Sequence, residues 1–126
     1  MTPTIKELRI SDSDWTEINN IVNALKPAKI TTTIFQREKL FVGDFYSSWL
    51  TCKINTEKVG CRFSNNLVQF MNEREKVLLH NEATLAAILL DPRYKVMLTE
   101  SEKEIAKKYI NQAWYVLKKS RIQSCF

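Results

Sequence analysis

The sequence predicts an all-α fold, a bundle of five or six helices formed by a single domain of residues 1–126. Only two glycines and three prolines occur along the chain, which is few for a turn-rich β protein. Apolar residues recur at spacings of three and four, and this spacing is typical of helices with one buried face. A domain of this length buries roughly two thirds of its unfolded-chain surface, so its core needs no disulfide or metal.

The first helix is predicted to begin after Ser11, whose hydroxyl can accept a hydrogen bond from the backbone N–H of Asp14. Its apolar face follows at spacings of 3, 4 and 3 and consists of Trp15, Ile18, Val22 and Leu25. Pro27 lacks a backbone N–H and is expected to break or kink this helix. A second helix is then predicted from Ala28 to Glu38.

The third helix, predicted from about Leu40 to Lys53, has the most aromatic face of the chain. Its apolar residues form a double row at spacings of four, which comprises Phe41, Val42, Phe45, Tyr46, Trp49 and Leu50. The polar residues 55–60 are predicted to form a loop or a helix start. A fourth helix follows from Phe63 to about Leu79.

Two further helices are predicted in the last third of the chain. Asn81 can cap a fifth helix. This helix should end at Asp91, because Pro92 disfavours the helical conformation of the residue before it. Residues Thr99–Glu102 fit a capping box at the start of a last helix, whose apolar spacing continues to about Lys119.

The predicted core collects the apolar residues that these patterns place on inner helix faces. It includes Trp15, Ile18, Val22, Leu25, Phe45, Trp49, Phe63, Leu67, Leu85, Ile88, Leu89, Tyr109 and Leu117. Residues 1–10 and 121–126 are expected to be frayed ends outside this core.

Composition narrows the classes of function. The net charge of +5 permits contact with nucleic acid but is smaller than that of a dedicated basic patch. The three cysteines are an odd number without metal-ligand spacing, which predicts reduced thiols in an intracellular protein. Neither a signal peptide nor a run of eighteen apolar residues is present, so no membrane association is expected.

Catalytic patterns are missing from the sequence. The only histidine, His80, has no neighbouring partner for a nucleophile–base pair, and the two glycines stand too far apart to form a phosphate loop. Acidic residues at positions 12 and 14, and again at 100, 102 and 104, lie in predicted first turns, where they favour the helix start rather than a metal. We therefore expect no catalytic residue, metal, cofactor or small-molecule substrate.

The segment Leu90-Asp91-Pro92-Arg93-Tyr94-Lys95 resembles a signature of hAT-superfamily transposases and of the BED-zinc-finger proteins derived from them. An earlier part of the chain resembles the same family in the same order. There, Asp14-Trp15 opens a helix that finishes at Leu25-Lys26-Pro27, and Thr31 to Thr33 follow. The resemblance implies an all-helical insertion within an RNase-H-like catalytic domain, where such a region supports the core and helps to hold transposon DNA.

The resemblance also implies what this chain lacks. The catalytic carboxylates of the family lie in flanking RNase-H-like parts that do not match here, and the same holds for the zinc finger and the dimerisation region. Asp91 belongs to the signature but is not one of those carboxylates. The resemblance therefore implies a non-enzymatic, nuclear remnant of a transposase.

Two functions from different classes follow as expectations. The first is a helical interaction module that binds a protein partner or a second copy of itself through a groove lined by Phe45, Tyr46 and Trp49. The second is weak, sequence-independent DNA binding through the basic last helix, with contacts from Lys107, Lys108, Lys118, Lys119 and Arg121. The alternative role of those basic residues is a solvated helix face. A third hypothesis is that the chain complements a separately encoded catalytic part.

Overall fold

The structure, a computed structural model, describes residues 9–125. They form five α-helices and one short 3₁₀ turn, and no strand occurs among them. The helices are α1 (Asp12–Phe35), α2 (Val42–Val59), α3 (Arg62–Leu79), α4 (Glu82–Leu90) and α5 (Glu100–Ser124), with the 3₁₀ turn Lys95–Met97 between the last two. The predicted all-α class and the number of five helices are confirmed.

Helix α1 is continuous through Pro27, so the predicted division into two helices is wrong. Its start is as predicted, because the Ser11 hydroxyl accepts from the Asp14 backbone N–H at 3.1 Å. Proline removes one hydrogen bond from the helix. Ala24 and Thr31 are buried on either side of it, so packing on the neighbouring helices supports helical structure both before and after Pro27.

Helix α2 extends to Val59, beyond the predicted end at Lys53, and residues 55–59 are helical rather than a loop. Thr56 is fully buried, and its hydroxyl donates to the Cys52 carbonyl at 2.8 Å. The helix ends at Gly60, whose φ of 69° is a left-handed conformation that glycine adopts without strain. Helix α3 has the predicted bounds to within one residue at its start.

Helices α4 and α5 start at the predicted caps. The Asn81 side chain accepts from the backbone N–H groups of residues 83 and 84, and Thr99 forms a reciprocal capping box with Glu102. Helix α4 ends before Asp91, as predicted. Helix α5 continues to Ser124, so its predicted end near Lys119 is wrong. Residues 1–8 and 126 lie outside the described part.

The core is centred on α4, which packs against α2, α3 and α5. Its fully buried residues Leu85 and Ile88 meet side chains from other elements. Those partners include Tyr46 from α2, Leu98 before α5 and Ala106 from α5. The short, almost entirely apolar helix is thus surrounded on several sides. None of the helices within residues 9–125 is long and apolar enough to cross a lipid bilayer.

The predicted core is wrong at six positions. Leu85 and Ile88 are buried, and five other predicted members are half-buried, namely Phe45, Trp49, Leu67, Leu89 and Tyr109. The exposed ones are Trp15, Ile18, Val22, Leu25, Phe63 and Leu117. In α1 the physical reason is rotational: the buried Ala24 and Thr31 lie on the opposite side of the helix from the Trp15–Leu25 row, at 100° per residue.

Candidate interaction surfaces

The signature segment forms a tight arrangement at the end of α4. Both oxygens of the Asp91 carboxylate accept from the Arg93 guanidinium, with Nε to Oδ1 at 3.0 Å and Nη2 to Oδ2 at 2.8 Å. Oδ1 also accepts from the Arg93 backbone N–H at 3.0 Å. These bonds favour the charged forms, so they lower the pKa of Asp91 and raise that of Arg93.

The same segment reaches across to the first turn of α2. Arg93 Nη1 lies 3.1 Å from Asp44 Oδ1, and the Tyr94 hydroxyl donates to that oxygen at 3.0 Å. The Tyr94 ring lies against Gly43, where an added Cβ would overlap the ring. We call Gly43, Asp44, Asp91, Arg93 and Tyr94 the α2–α4 clasp. It fixes the turn after α4 onto the start of α2.

The clasp gives part of the signature a structural role. Asp91, Arg93 and Tyr94 come together in it, whereas Leu90, Pro92 and Lys95 are exposed beside it. The sequence patterns do not predict that Gly43 and Asp44 belong to this site. The available signal was an isolated glycine inside an otherwise regular amphipathic helix, which often marks close approach of another group.

The remaining signature residues lie on α1 and are separated from the clasp. Asp14 is in the first turn, where its carboxylate accepts from the Ser11 hydroxyl at 2.6 Å, and Pro27 is half-buried in the middle of the helix. Trp15 is 51% exposed. It begins the exposed row that continues with Ile18, Val22 and Leu25 at 38%, 50% and 43% exposure. We call these four residues the α1 face.

The second exposed apolar surface is the end of α5. Every residue from Trp114 to Ser124 is exposed, and α5 packs on α4 only through its earlier part, around Ala106. Trp114, Leu117 and Ile122 are 64%, 61% and 55% exposed and line a shallow groove with Lys118 and Arg121. We call residues 114–124 the α5 overhang.

The predicted DNA-contact residues occupy two places on α5. Lys118, Lys119 and Arg121 lie on the α5 overhang and are exposed. Lys107 is exposed nearer the core, where its ammonium donates to Glu104 at 2.9 Å, and this bond raises its pKa. Lys108 is exposed beside it. No acidic residue occurs between Ile105 and Ser124, so the net charge of this stretch is positive.

The predicted partner groove on α2 is wrong. Tyr46 is only 4% exposed and belongs to the core, where its hydroxyl donates to Glu75 at 3.5 Å. Burial and the nearby carboxylate raise the pKa of Tyr46 to about 12. Phe45 stacks on Phe35 of α1, with ring centroids 4.4 Å apart. Trp49 is half-buried, and its buried Nε1 has no hydrogen-bond partner within residues 9–125. The aromatic row therefore packs against the protein itself.

The described residues show no metal centre. Within residues 9–125, no group of three or more His, Cys, Asp or Glu side chains is placed to hold a metal ion. His80 is exposed at the end of α3, and the thiols of Cys52, Cys61 and Cys125 are free. Comparison of the chain with protein-family models, with curated proteins and with solved structures found no match.

Proposed function

We propose that this chain is a non-catalytic helical interaction module, which binds other proteins through the α1 face and the α5 overhang. The observation that supports the proposal is the exposure of two apolar rows on separate helices. Large exposed apolar patches with polar borders mark interaction sites on proteins. Trp15 and Trp114 would supply the aromatic anchors that are enriched at the centres of such interfaces.

The total surface supports the same proposal. The accessible surface is 10221 Å², whereas a compact monomer of this size exposes roughly 7,000 Å². Resemblance to hAT transposases adds a consistent origin, since the helical insertion of that family packs on a neighbouring domain in a nuclear protein.

The experiment compares three tagged forms of the full chain. These are the wild type, a variant with Trp114→Ser and Leu117→Ser, and a control with Val77→Ser and Val96→Ser. All four residues are at least 61% exposed, so each substitution should change stability by less than about 0.5 kcal/mol. We expect the wild type and the control to capture the same proteins in equal amounts, and we expect the α5 variant not to capture them. Equal capture by all three forms would contradict a docking role of the overhang.

A second candidate is weak DNA binding by α5, which the run of five basic and no acidic residues from Ile105 to Ser124 favours. Its test is fluorescence anisotropy of a short duplex across a salt series. Neutralising Lys118, Lys119 and Arg121 with glutamine should lower the slope of log affinity against log salt by about two to three, since each lost phosphate contact removes about 0.9.

A matched control has the same total charge as the variant with three glutamines on α5. It carries Lys26→Gln, Lys29→Gln and Lys58→Gln, which are exposed on α1 and α2. The control should retain the wild-type slope. Equal slopes for the two triple variants would reject α5 as the DNA-binding surface.

A further inference from the structure

Building on the proposed function, we propose that the partner of the α5 overhang is a second copy of this chain, whose α1 face packs against it. The two surfaces are far apart within one chain, because α1 packs on α2 and α3 whereas α5 packs on α4. Within residues 9–125 the two helices have no contact with each other. Neither surface can therefore cover the other in the same molecule.

Charge complementarity identifies the pairing. Between Asp12 and Leu25, α1 has three acidic residues and no basic one. Between Ile105 and Ser124, α5 has five basic residues and no acidic one. Asp14 borders the exposed row of α1, whereas Glu17 is seven residues before Ala24 and lies on the other side of the helix. On α5, Lys118 and Arg121 line the exposed groove with Trp114 and Leu117. Packing these rows together would bury apolar surface and bring opposite charges next to each other, which favours this register over others.

The positions of the charges also indicate an antiparallel orientation. The acidic residues Asp14 and Glu17 lie at the start of α1, whereas Lys118 and Arg121 lie near the end of α5. An antiparallel pair brings these ends together. The same orientation places the positive end of the α1 dipole beside the negative end of the α5 dipole. At 1.5 Å per residue, the α1 row from Trp15 to Leu25 and the overhang are each about 15 Å long.

Contact between two α5 overhangs, or between two α1 faces, is disfavoured. Two α5 overhangs packed through the groove would bring Lys118 and Arg121 against their own copies, and two α1 faces would do the same with Asp14. Like charges placed together at an interface cost several kcal/mol. When α1 of one copy packs on α5 of another, each chain can bury both its α1 face and its α5 overhang. A two-fold axis would close it into a dimer with two such contacts. Other geometries would give a larger ring, where the rotation closes, or an open filament.

The experiment reverses the charges and then restores complementarity. One variant has Asp14→Lys and Glu17→Lys, and the other has Lys118→Glu and Arg121→Glu. Sedimentation of the full chain is measured over a concentration series at low salt, with a reductant because Cys125 is exposed. We expect the wild type to self-associate and each variant alone to do so at least tenfold more weakly.

Restoration is the decisive step. A chain with all four reversals has a net positive charge at the start of α1 and a net negative charge on the α5 overhang, so it should regain association to within a few-fold of the wild type. An equimolar mixture of the two double variants should also associate. A control with Glu57→Lys and Glu73→Lys changes the net charge as the α1 variant does, on exposed positions of α2 and α3. It should associate like the wild type.

Two results would overturn the pairing. One is a wild-type chain that stays monomeric at every concentration, and the other is a four-fold variant that associates as weakly as the double variants. The capture experiment with Trp114→Ser and Leu117→Ser then decides separately about the proposed function. A monomeric chain whose α5 variant loses captured proteins leaves the docking role intact and removes only the self-pairing.

Discussion

The ring of Tyr94 lies against the backbone of Gly43, so closely that a Cβ at position 43 would overlap Tyr94 Cδ2 and stand 2.8 Å from Asp91 Oδ2. The Tyr94 hydroxyl meanwhile donates to Asp44 in the same turn of α2. An alanine ordinarily stabilises a helix by about 1 kcal/mol relative to glycine. At position 43, because the clasp between α2 and the turn after α4 occupies the space for a Cβ, we expect alanine to be less stable than glycine.

Gly43→Ala should therefore destabilise the protein by about 1–3 kcal/mol, because the new methyl group forces Tyr94 and Asp91 to move. Urea unfolding followed by circular dichroism measures the change. In a Tyr94→Ala background the same substitution should cost much less, since the obstructing ring is gone. An increase in stability of the single variant would show that the ring does not pack there.

Asp91→Asn should destabilise the protein at neutral pH by an amount that shrinks in acid. The Arg93 guanidinium lowers the pKa of Asp91 in the folded state, so the ionised carboxylate contributes stability above its unfolded pKa of about 3.9. That contribution is lost as the pH falls through the lowered folded pKa. Urea unfolding from pH 7 to pH 2 tests the expectation. With Arg93→Gln as the background, Asp91→Asn should lose most of its pH-dependent effect.

Alkaline pH should destabilise the protein through Tyr46. Burial raises the pKa of Tyr46 to about 12, so its contribution is complete below the unfolded pKa of about 10 and is lost as the pH rises toward 12. The two-unit difference corresponds to about 3 kcal/mol at most. Tyr46→Phe should flatten the loss between pH 10 and pH 12. Tyr115→Phe, at a residue 71% exposed, should leave the profile unchanged.

Two residues of α4 should respond very differently to truncation. Ile88 is fully buried and Leu90 is 69% exposed. Ile88→Ala should cost about 2–5 kcal/mol, because it removes buried methyl groups and leaves a cavity, whereas Leu90→Ala should cost less than about 0.5 kcal/mol. Thermal and urea unfolding of both variants measure the difference. Equal costs would mean that α4 is not seated in the core as described.

Local signals in the sequence were sufficient for several features. Ser11, Asn81 and Thr99 were predicted as helix caps, and each makes the expected hydrogen bond. The end of α4 before Pro92 was also predicted, since proline restricts the preceding residue wherever the helix lies in the fold. These features depend on groups within about four residues of one another, so the chain itself contains the information.

Other features depend on distant parts of the chain. Pro27 alone predicts a break or a kink in α1, but the helix is continuous through it, with Ala24 and Thr31 buried on either side. The role of Gly43 was not predicted, because it arises from Tyr94 and Asp91 far along the sequence. The spacing of the aromatic residues on α2 predicts a partner groove, whereas the structure packs Tyr46 into the core.

The sequence alone determined the helical class, the caps and which residues share a side of each helix. Tertiary structure alone decided which of those sides is covered. Periodicity placed Trp15, Ile18, Val22 and Leu25 in one row, but α1 packs through the opposite side and leaves that row exposed. The physical reason is that apolar spacing depends on the geometry of one helix, whereas burial depends on where the other helices lie.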